Sequence, residues 1–280
     1  MNAPAAPSAR PADDVDIIIV NHNTRDELAD CLKSLHDARP ACVARITVVD
    51  NHSTDDSVAT VERRWPDVEI RALDHNIGFG PANNVALRQS TASYCLLLNS
   101  DTVVPPGAID ALLDRLIANG ATAAGPLLRD GHGRPEISFG PMLAPWSELV
   151  QKMRVRLAAR GGSLADWYVG PLVSAERFVD WVTGACLLVR REAARDAGFF
   201  DERYFLYEED VDFCAALRAR GGTILFTPRA EVQHLRGRSA PSRASRAHYD
   251  RSHLAFYEKH HPAWAPALRL WQQVRGRRIR

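Results

Sequence analysis

The densest acidic stretch in the chain, Glu208–Asp212, places Glu208, Glu209, Asp210 and Asp212 within five positions. Crowded carboxylates raise one another's proton affinity. A carboxylate poised that way can act as a general base. The same acids would also complement the positive end of a helix, so the run alone leaves both readings open. Adjacent helical positions point to different sides, which gives Glu209 and Asp210 different tasks. A further carboxylate, Asp101, closes the run Leu96-Leu97-Leu98-Asn99-Ser100-Asp101. There it can hold Mg2+ or Mn2+, which take oxygen ligands and share them with phosphates. Such a metal would neutralise charge developing on a departing diphosphate. Asp50 ends Val48-Val49-Asp50 and can accept hydrogen bonds from a nucleobase or ribose, or cap its own turn. A neutral His234 can ligate a metal, and Arg236 and Arg238 beside it suit phosphate.

These residues need elements to hold them. Asp16–Val20 is a short run rich in β-branched residues, the pattern of a buried strand. Thr24 and Glu27 have capping-box spacing, and Leu28, Cys31, Leu32 and Leu35 follow at helical spacing. The unit then repeats. Strands are expected at Arg45–Asp50, Val68–Leu73 and Tyr94–Asp101. Helices are expected behind Ser53 and Asp56, around Val85–Gln89, and over Ile109, Leu112, Leu113, Leu116 and Ile117. Strands alternating with amphipathic helices predict an α/β fold with a doubly wound, mostly parallel sheet. Ligands in such sheets bind beyond the carboxyl ends of the strands. The polar clusters Asn21–Asn23, Asp50–Asp56, Asn76–Asn84 and Asn99–Asp101 stand at those ends and should converge on one crevice.

The second half is less regular. A helix is expected near Trp146–Ala159, a strand around Ala185–Val189, a helix from the acidic run to Gly221, and a strand at Thr223–Pro228. At the C-terminus Arg269, Arg275, Arg277, Arg278 and Arg280 accompany Trp264, Leu268 and Trp271, which can share a helix face. That pattern reads either as a membrane-surface helix or as a basic tail packed through its tryptophans. Residues 1–14, rich in Ala and Pro, read as a flexible tail rather than a signal peptide.

Composition narrows the classes. The chain has 280 residues, 46% hydrophobic and 25% charged, with a net charge of +1. That gives no electrostatic case for nucleic-acid binding. No apolar run reaches the roughly 20 residues that span a bilayer. The five cysteines contain no C-x-x-C pair, which argues for reduced, mostly buried thiols in a cytosolic protein.

Taken in order, the segments Val15–Asn23, Val48–Ser57, Asn76–Asn84, Leu96–Asp101, Asp180–Glu192, Phe200–Gly221 and His234–Ser239 resemble the family 2 inverting glycosyltransferases with a GT-A fold. The resemblance covers about Asp16 to Ser239. It implies a glycosyltransferase domain over 15–261, with a nucleotide-sugar half (15–125) and an acceptor half (126–261), followed by a basic tail (262–280). It further implies that Val20, Asn21, Asp50, Asn76, Gly78, Asn84, Ser100, Arg236 and Arg238 bind the donor. Asp101 is similar to the last carboxylate of the family's D-x-D metal motif, and His234 to its additional metal-ligand histidine. The first D-x-D position here is Asn99, so the metal loses one carboxylate. Asp210 would be the catalytic base, Glu209 would orient the acceptor, and Trp181 and Gly184 would form the acceptor-side wall. Within the family the motifs resemble bacterial rhamnosyltransferases of cell-surface polysaccharide assembly. This implies a dTDP-L-rhamnose donor, a saccharide or polyprenyl-diphosphate-linked acceptor, and a cytoplasmic enzyme, peripheral on the inner membrane if the tail binds lipid.

Other classes lack their signatures. A dehydrogenase would need G-x-G-x-x-G after the first strand, where this chain reads Asn21-His22-Asn23-Thr24. The phosphate-binding loop of nucleotide kinases is absent. A sugar nucleotidyltransferase shares the architecture but would carry a Gly- and Arg-rich loop near the N-terminus. A non-catalytic carbohydrate-binding protein would tolerate Asn99, yet binding alone does not require crowded carboxylates.

Overall fold

In the computed structural model, residues 14–235 and 243–278 are described. The first half alternates β1 (Val15–Asn21), α1 (Arg25–Ala38), β2 (Val43–Asp50), α2 (Ser57–Arg64), β3 (Glu69–Ala72), α3 (Phe79–Gln89), β4 (Tyr94–Asn99), β5 (Thr102–Val103) and α4 (Ala108–Ala118). The second half adds β6 (Ala123–Arg129), β7 (Phe139–Gly140), α5 (Pro145–Arg160), α6 (Ser163–Val173), β8 (Arg177–Val179), β9 (Trp181–Val182), β10 (Cys186–Arg190), α7 (Arg191–Ala197), α8 (Glu209–Arg218), β11 (Ile224–His234), α9 (Arg243–His260) and α10 (Ala265–Arg278).

Among the described residues one sheet runs β3-β2-β1-β4-β10-β6-β11-β5, with β8 beside β11. Strands β1 to β4 pair in parallel, as the alternating pattern predicts. Both faces of β1 are covered, which is why its sequence is apolar without interruption. Ile17 and Ile19 enter one core layer with Leu28, Leu32 and Leu112. Ile18 and Val20 enter the other with Ala82, Ala86 and Phe213. Burying each of these isoleucines contributes about 2 kcal/mol. The cysteines are free, and Cys31, Cys95, Cys186 and Cys214 are buried.

The second half departs from simple alternation. Strand β10 runs antiparallel between β4 and β6, whereas β11 is parallel to β6 and antiparallel to β5. An antiparallel strand brings its beginning, not its end, to the crevice. Residues 183–185 therefore lie beside the carboxyl end of β4, where Asn99 N–H donates to Ala185 O at 3.0 Å. Pairing of His234 with Thr102 carries the end of β11 to the same edge.

Two cap expectations are corrected. Thr24 stands at the N-cap of α1 without a side-chain cap bond. Ser53 lies well before α2, whose N-cap is Asp56. Both hydroxyls instead join loops together, as described below. The C-terminal segment forms α10, with Ala265 buried and Leu268 packed on a third core cluster that includes Phe256 and Tyr257. Trp264 and Trp271 stay about half exposed. Among the described residues no helix is long and apolar enough to cross a membrane. The expected N-terminal tail falls outside the described residues, apart from Asp14.

Candidate active site

The four polar clusters at the ends of β1 to β4 do converge, and they are bonded to one another. Asn21 Nδ2 donates to Asp50 Oδ1 at 2.9 Å and to Ser53 Oγ at 3.0 Å, joining the first loop to the second. Asn51 Nδ2 donates to Asn76 Oδ1 at 2.9 Å, and Asn51 Oδ1 accepts from Ile77 N–H, joining the second to the third. The hydroxyls of Thr24 and Ser100 lie 2.8 Å apart, joining the first to the fourth. Hydroxyl and amide side chains that could cap helices are thus used between loops, which fixes the rim of the crevice.

Core packing and this lattice occupy the side chains of three residues expected at the donor site. The side chain of Val20 lies in the core. The Asn21 amide is fully buried among protein partners. The Asn84 amide, also fully buried, is saturated by α8-side backbone: its Nδ2 donates to Phe200 O and its Oδ1 accepts from Phe200 N–H, both at 2.9 Å. In this structure these side chains are held by protein partners behind the rim of the crevice. Asp50 spends one oxygen on Asn21 and the other on the Ser53 N–H, the turn-capping alternative left open above. Gly78 is required where it stands. Its φ is +96°, and a Cβ there would come within 2.5 Å of Phe205 O. Arg236 and Arg238 lie outside the described residues.

Facing this rim is a cleft of about 600 Å³ lined by Asn99, Trp181, Gly184, Glu209, Asp210 and His234, among others. The acidic run divides by helical periodicity. Glu208 and Asp212, one turn apart, bond to α9, and Glu208 also borders the cleft. Asp212 accepts from Lys259 at 2.8 Å and lies 2.6 Å from His260, while Glu208 lies 3.0 Å from the His253 ring. Glu209 and Asp210 remain in the cleft. Asp210 Oδ2 accepts the Gly184 N–H at 2.8 Å and Oδ1 the Val211 N–H at 2.8 Å. Burial raises the Asp210 carboxyl above the usual aspartate range, against the pull of those two N–H groups. Glu209 is pushed well above its usual range, first by burial and then by Asp210. Desolvation outweighs the mutual repulsion that the sequence pointed to. Glu209 Oε2 is buried with no hydrogen-bond partner. Immediately before α8, Tyr207 and Glu208 both adopt left-handed backbone, with φ of 72° and 67°. Each costs roughly 1–2 kcal/mol, and the turn they make aims the first turn of α8 into the cleft.

Across the cleft, His234 Nε2 lies 3.3 Å from Asp101 Oδ1 and its Nδ1 3.3 Å from Glu136 Oε2. Burial alone would lower the imidazole, but the two carboxylates lift it to about 9. An imidazole whose second nitrogen rests on a carboxylate is the usual posture of a metal-ligating histidine. Asp101 and His234 thus place a carboxylate oxygen and an imidazole nitrogen side by side, donor types that a divalent cation takes once the imidazole gives up its proton. Among the described residues no group of three or more His, Cys, Asp or Glu forms a complete cage. Asn99 Nδ2 lies 3.5 Å from His234 Nε2. Trp181 lines the cleft with its indole N–H fixed on Pro141 O at 2.9 Å.

Sequence reasoning missed the floor beneath α8. His253 of α9 lies between Glu208 (3.0 Å) and Glu148 (3.2 Å), and Tyr257 donates to Glu148 at 2.9 Å. Burial lowers His253, but Glu148 and Glu208 raise it to about 9. Burial raises Glu148, but His253 and Lys152 hold it at about 2. Only the cluster of histidines in residues 248–261 could have drawn attention to this helix.

Residues 16–157 match the family model "Glycosyl transferase family 2", and residues 94–273 match "Glycosyl transferase family group 2". The chain is 31% identical to a Mycobacterium tuberculosis N-acetylglucosaminyl-diphospho-decaprenol L-rhamnosyltransferase, over 90% of this chain and 87% of that protein. It is 27% identical to the O-antigen biosynthesis protein RfbC of Myxococcus xanthus, over 68% of this chain but 15% of that protein. Among solved structures it superposes on GalNAc-T7 with UDP, GalNAc and Mn2+ with a TM-score of 0.60 at 16% identity, covering 83% of this chain. It superposes on Staphylococcus aureus TarS 1-349 in complex with UDP-GlcNAc with a TM-score of 0.57 at 17% identity, covering 81%. This chain spans 46% and 60% of those two chains, and the likeness is one of fold.

Two outcomes follow from this geometry. Asn84→Ala strands the Phe200 N–H and carbonyl and should cost about 1–3 kcal/mol in urea unfolding. Nucleotide-sugar affinity per folded molecule should stay unchanged, and a selective loss of affinity would restore Asn84 as a direct contact. His253→Gln should lower stability by on the order of 2–3 kcal/mol near pH 5.5. The folded His253 value lies above the unfolded one, so its contribution is complete below about pH 6.5. That contribution fades as pH rises through 9. A deficit constant from pH 5.5 to 9.5 would show that His253 acts by packing alone.

Proposed function

The chain belongs to glycosyl transferase family 2, and on that premise we propose that it inverts the anomeric centre of the sugar it transfers, L-rhamnose from dTDP-L-rhamnose. The acceptor is a hydroxyl of a saccharide carried on a polyprenyl diphosphate, in cell-surface polysaccharide assembly such as that of O-antigen. The fold is GT-A and the activity is glycosyl transfer. The finer reading is supported by the printed name of the mycobacterial relative, which specifies rhamnosyl transfer to a diphospho-decaprenol-linked sugar. The donor nucleotide rests on the motif resemblance.

One observation carries the mechanism. Asp210 and the Asp101-bound His234 line a single cleft, although 109 positions separate the two aspartates in sequence. Residues 15–125 act as the donor half and 126–261 as the acceptor half. The tied loops at the ends of β1 to β4 form the floor under the nucleoside, where Asp50, Asn76, Gly78 and Ser100 set the shape. Asp101 and His234 would hold Mg2+ or Mn2+ against the diphosphate, and that ion supplies charge neutralisation on the leaving group. Gly184 and Val211 hold both oxygens of Asp210 in a fixed plane. Their remaining lone pairs can then accept a proton from the acceptor hydroxyl. Burial strengthens Asp210 as a base, toward the pKa at which general-base catalysis is efficient. The hydroxyl oxygen then bonds to the anomeric carbon as the bond to the diphosphate oxygen breaks on the opposite face, and a single displacement inverts the configuration. Glu209, with one buried oxygen lacking a partner, donates or accepts toward the acceptor sugar. Trp181 offers its ring to that sugar's apolar face.

Asp210→Asn keeps the side chain's shape and one of its two backbone hydrogen bonds, because an amide nitrogen cannot accept an N–H, and it removes the base. It should lower turnover by about 10²- to 10⁴-fold while leaving donor affinity, measured by calorimetry, within twofold. The assay is a panel of dTDP-, UDP- and GDP-sugars with a synthetic polyprenyl-diphosphate saccharide, for which dTDP-L-rhamnose should give the highest turnover. Full activity in the Asn variant would remove Asp210 as the base. Preference for another sugar nucleotide would overturn the donor. Product formed only from sugar phosphate and nucleoside triphosphate would identify a nucleotidyltransferase.

A further inference from the structure

Helix α5 has two faces that do different things. Glu148, Gln151, Lys152 and Val155 recur at three- and four-residue spacing and line the cleft, with Arg156 at its edge. Trp146, Leu149, Val150 and Met153 recur at the same spacing on the other side of the helix, and all four are exposed, Trp146 by 78% and Met153 by 59%. Such a stripe on a helix ordinarily faces a core. Among the described residues nothing covers it. Helix α6 extends the patch with Trp167, 74% exposed, and with Tyr168, whose hydroxyl accepts from Arg154 Nε at 3.3 Å.

The charge on α5 is mostly of one sign, and α6 carries one acid, Asp166, beside Trp167. Lys152, Arg154, Arg156 and Arg160 stand on α5 with a single acid, Glu148. Glu148 is turned inward, onto Lys152, His253 and Tyr257. Among the described residues Arg154, Arg156 and Arg160 make no ion pair. Tryptophan, tyrosine and aliphatic side chains rimmed by arginines match the interface of an anionic bilayer, where aromatic rings sit at headgroup level and cations meet lipid phosphates. A protein core offers no such match for the arginines.

We propose that the outer face of α5, with the α6 aromatics, rests on an anionic lipid surface, so that the cleft on the helix's inner face opens beside the membrane. This rests on the reading of a lipid-linked acceptor. It assigns the route by which such an acceptor arrives, a saccharide entering the cleft past Arg156 while its lipid stays in the bilayer. It also separates the membrane-facing surface from α10, which the sequence pattern had offered for that role and which packs on the core through Leu268.

The test is co-sedimentation of the full chain with vesicles of phosphatidylcholine alone or mixed with phosphatidylglycerol, at low and high salt. The wild type should bind the anionic vesicles and release at high salt. Trp146→Ser/Leu149→Ser/Met153→Ser should weaken that binding at least tenfold, with rhamnosyl transfer to a short water-soluble acceptor within twofold of wild type. Arg154→Gln/Arg160→Gln should lose the preference for anionic lipid. Unchanged vesicle binding by the triple variant would overturn the proposal. So would loss of binding in Trp271→Ser/Val274→Ser alone, which would make α10 the lipid surface. A triple variant that changes from dimer to monomer while binding vesicles normally would make the stripe a contact between copies. If the wild type binds vesicles through the stripe yet transfers no sugar from any donor, the functional reading fails and the surface stands.

Discussion

The arrangement turns on the hydrogen bond between the Gly184 N–H and Asp210 Oδ2, at 2.8 Å, where the start of an antiparallel strand meets the start of a helix. Strand β10 runs against its neighbours, so its first residues reach the carboxyl edge of the parallel block. Helix α8 begins after two left-handed residues that turn the chain sharply into the cleft. Neither element alone would point a carboxylate at the site. Gly184 packs closely here, where a Cβ would meet Asp210 Cβ and the Phe79 ring at 3.4 Å, ordinary contact distance. The left-handed turn before α8 is held from behind by α9, through Glu208 to His253 and Asp212 to Lys259 and His260. Backbone strain of this kind persists only when the surrounding structure over-determines it, and the charged clasp of α9 supplies that determination.

The same logic explains the distribution of charge. Of the four acids in the run, Glu208 and Asp212 are paired with His253, Lys259 and His260 of α9. Glu209 and Asp210 have no ion pair among the described residues, and burial raises both, as it does Glu208. Pairs of titratable groups whose surroundings push them apart mark acid–base sites. On the opposite wall Asp101 and Glu136 have His234 between them. The cleft is therefore asymmetric, with an imidazole between two carboxylates on one side and two buried carboxyls of raised proton affinity on the other. A reaction that expels an anion from one face of a carbon and takes a proton at the other requires that asymmetry.

Much of this was readable in the chain, and the rest was not for identifiable reasons. The centres of β1 and β4, Ile17–Val20 and Cys95–Leu98, are apolar without interruption because both faces are covered, and that pattern needs no tertiary information. Pairing direction does need it. Nothing in Cys186–Arg190 distinguishes an antiparallel strand from a parallel one, and β6, with Gly125 and Pro126, did not read as a strand at all. The hydroxyls of Thr24 and Ser53 carried the pattern of helix caps but tie loops together, because the same donors and acceptors serve either purpose. Asn84 sat in a motif that pointed to a ligand, and its amide is spent on the backbone of Phe200. Helix α9 escaped notice as a positioning element because its contributions are His253, Lys259 and His260, polar residues without apolar period. The meeting of Asp101 with His234 depends on β11 reaching β5, a contact across the whole second half of the chain.

The central claim is that a sugar diphosphate lies between these two walls. The most direct measurement is a crystal structure of the protein with a nucleoside diphosphate sugar and Mn2+, read at the manganese absorption edge. The account predicts an anomalous peak beside Asp101 and His234, the diphosphate on that peak, and the sugar between it and Asp210. A diphosphate bound outside this cleft, or a sugar with no path to the Asp210 carboxylate, would contradict it.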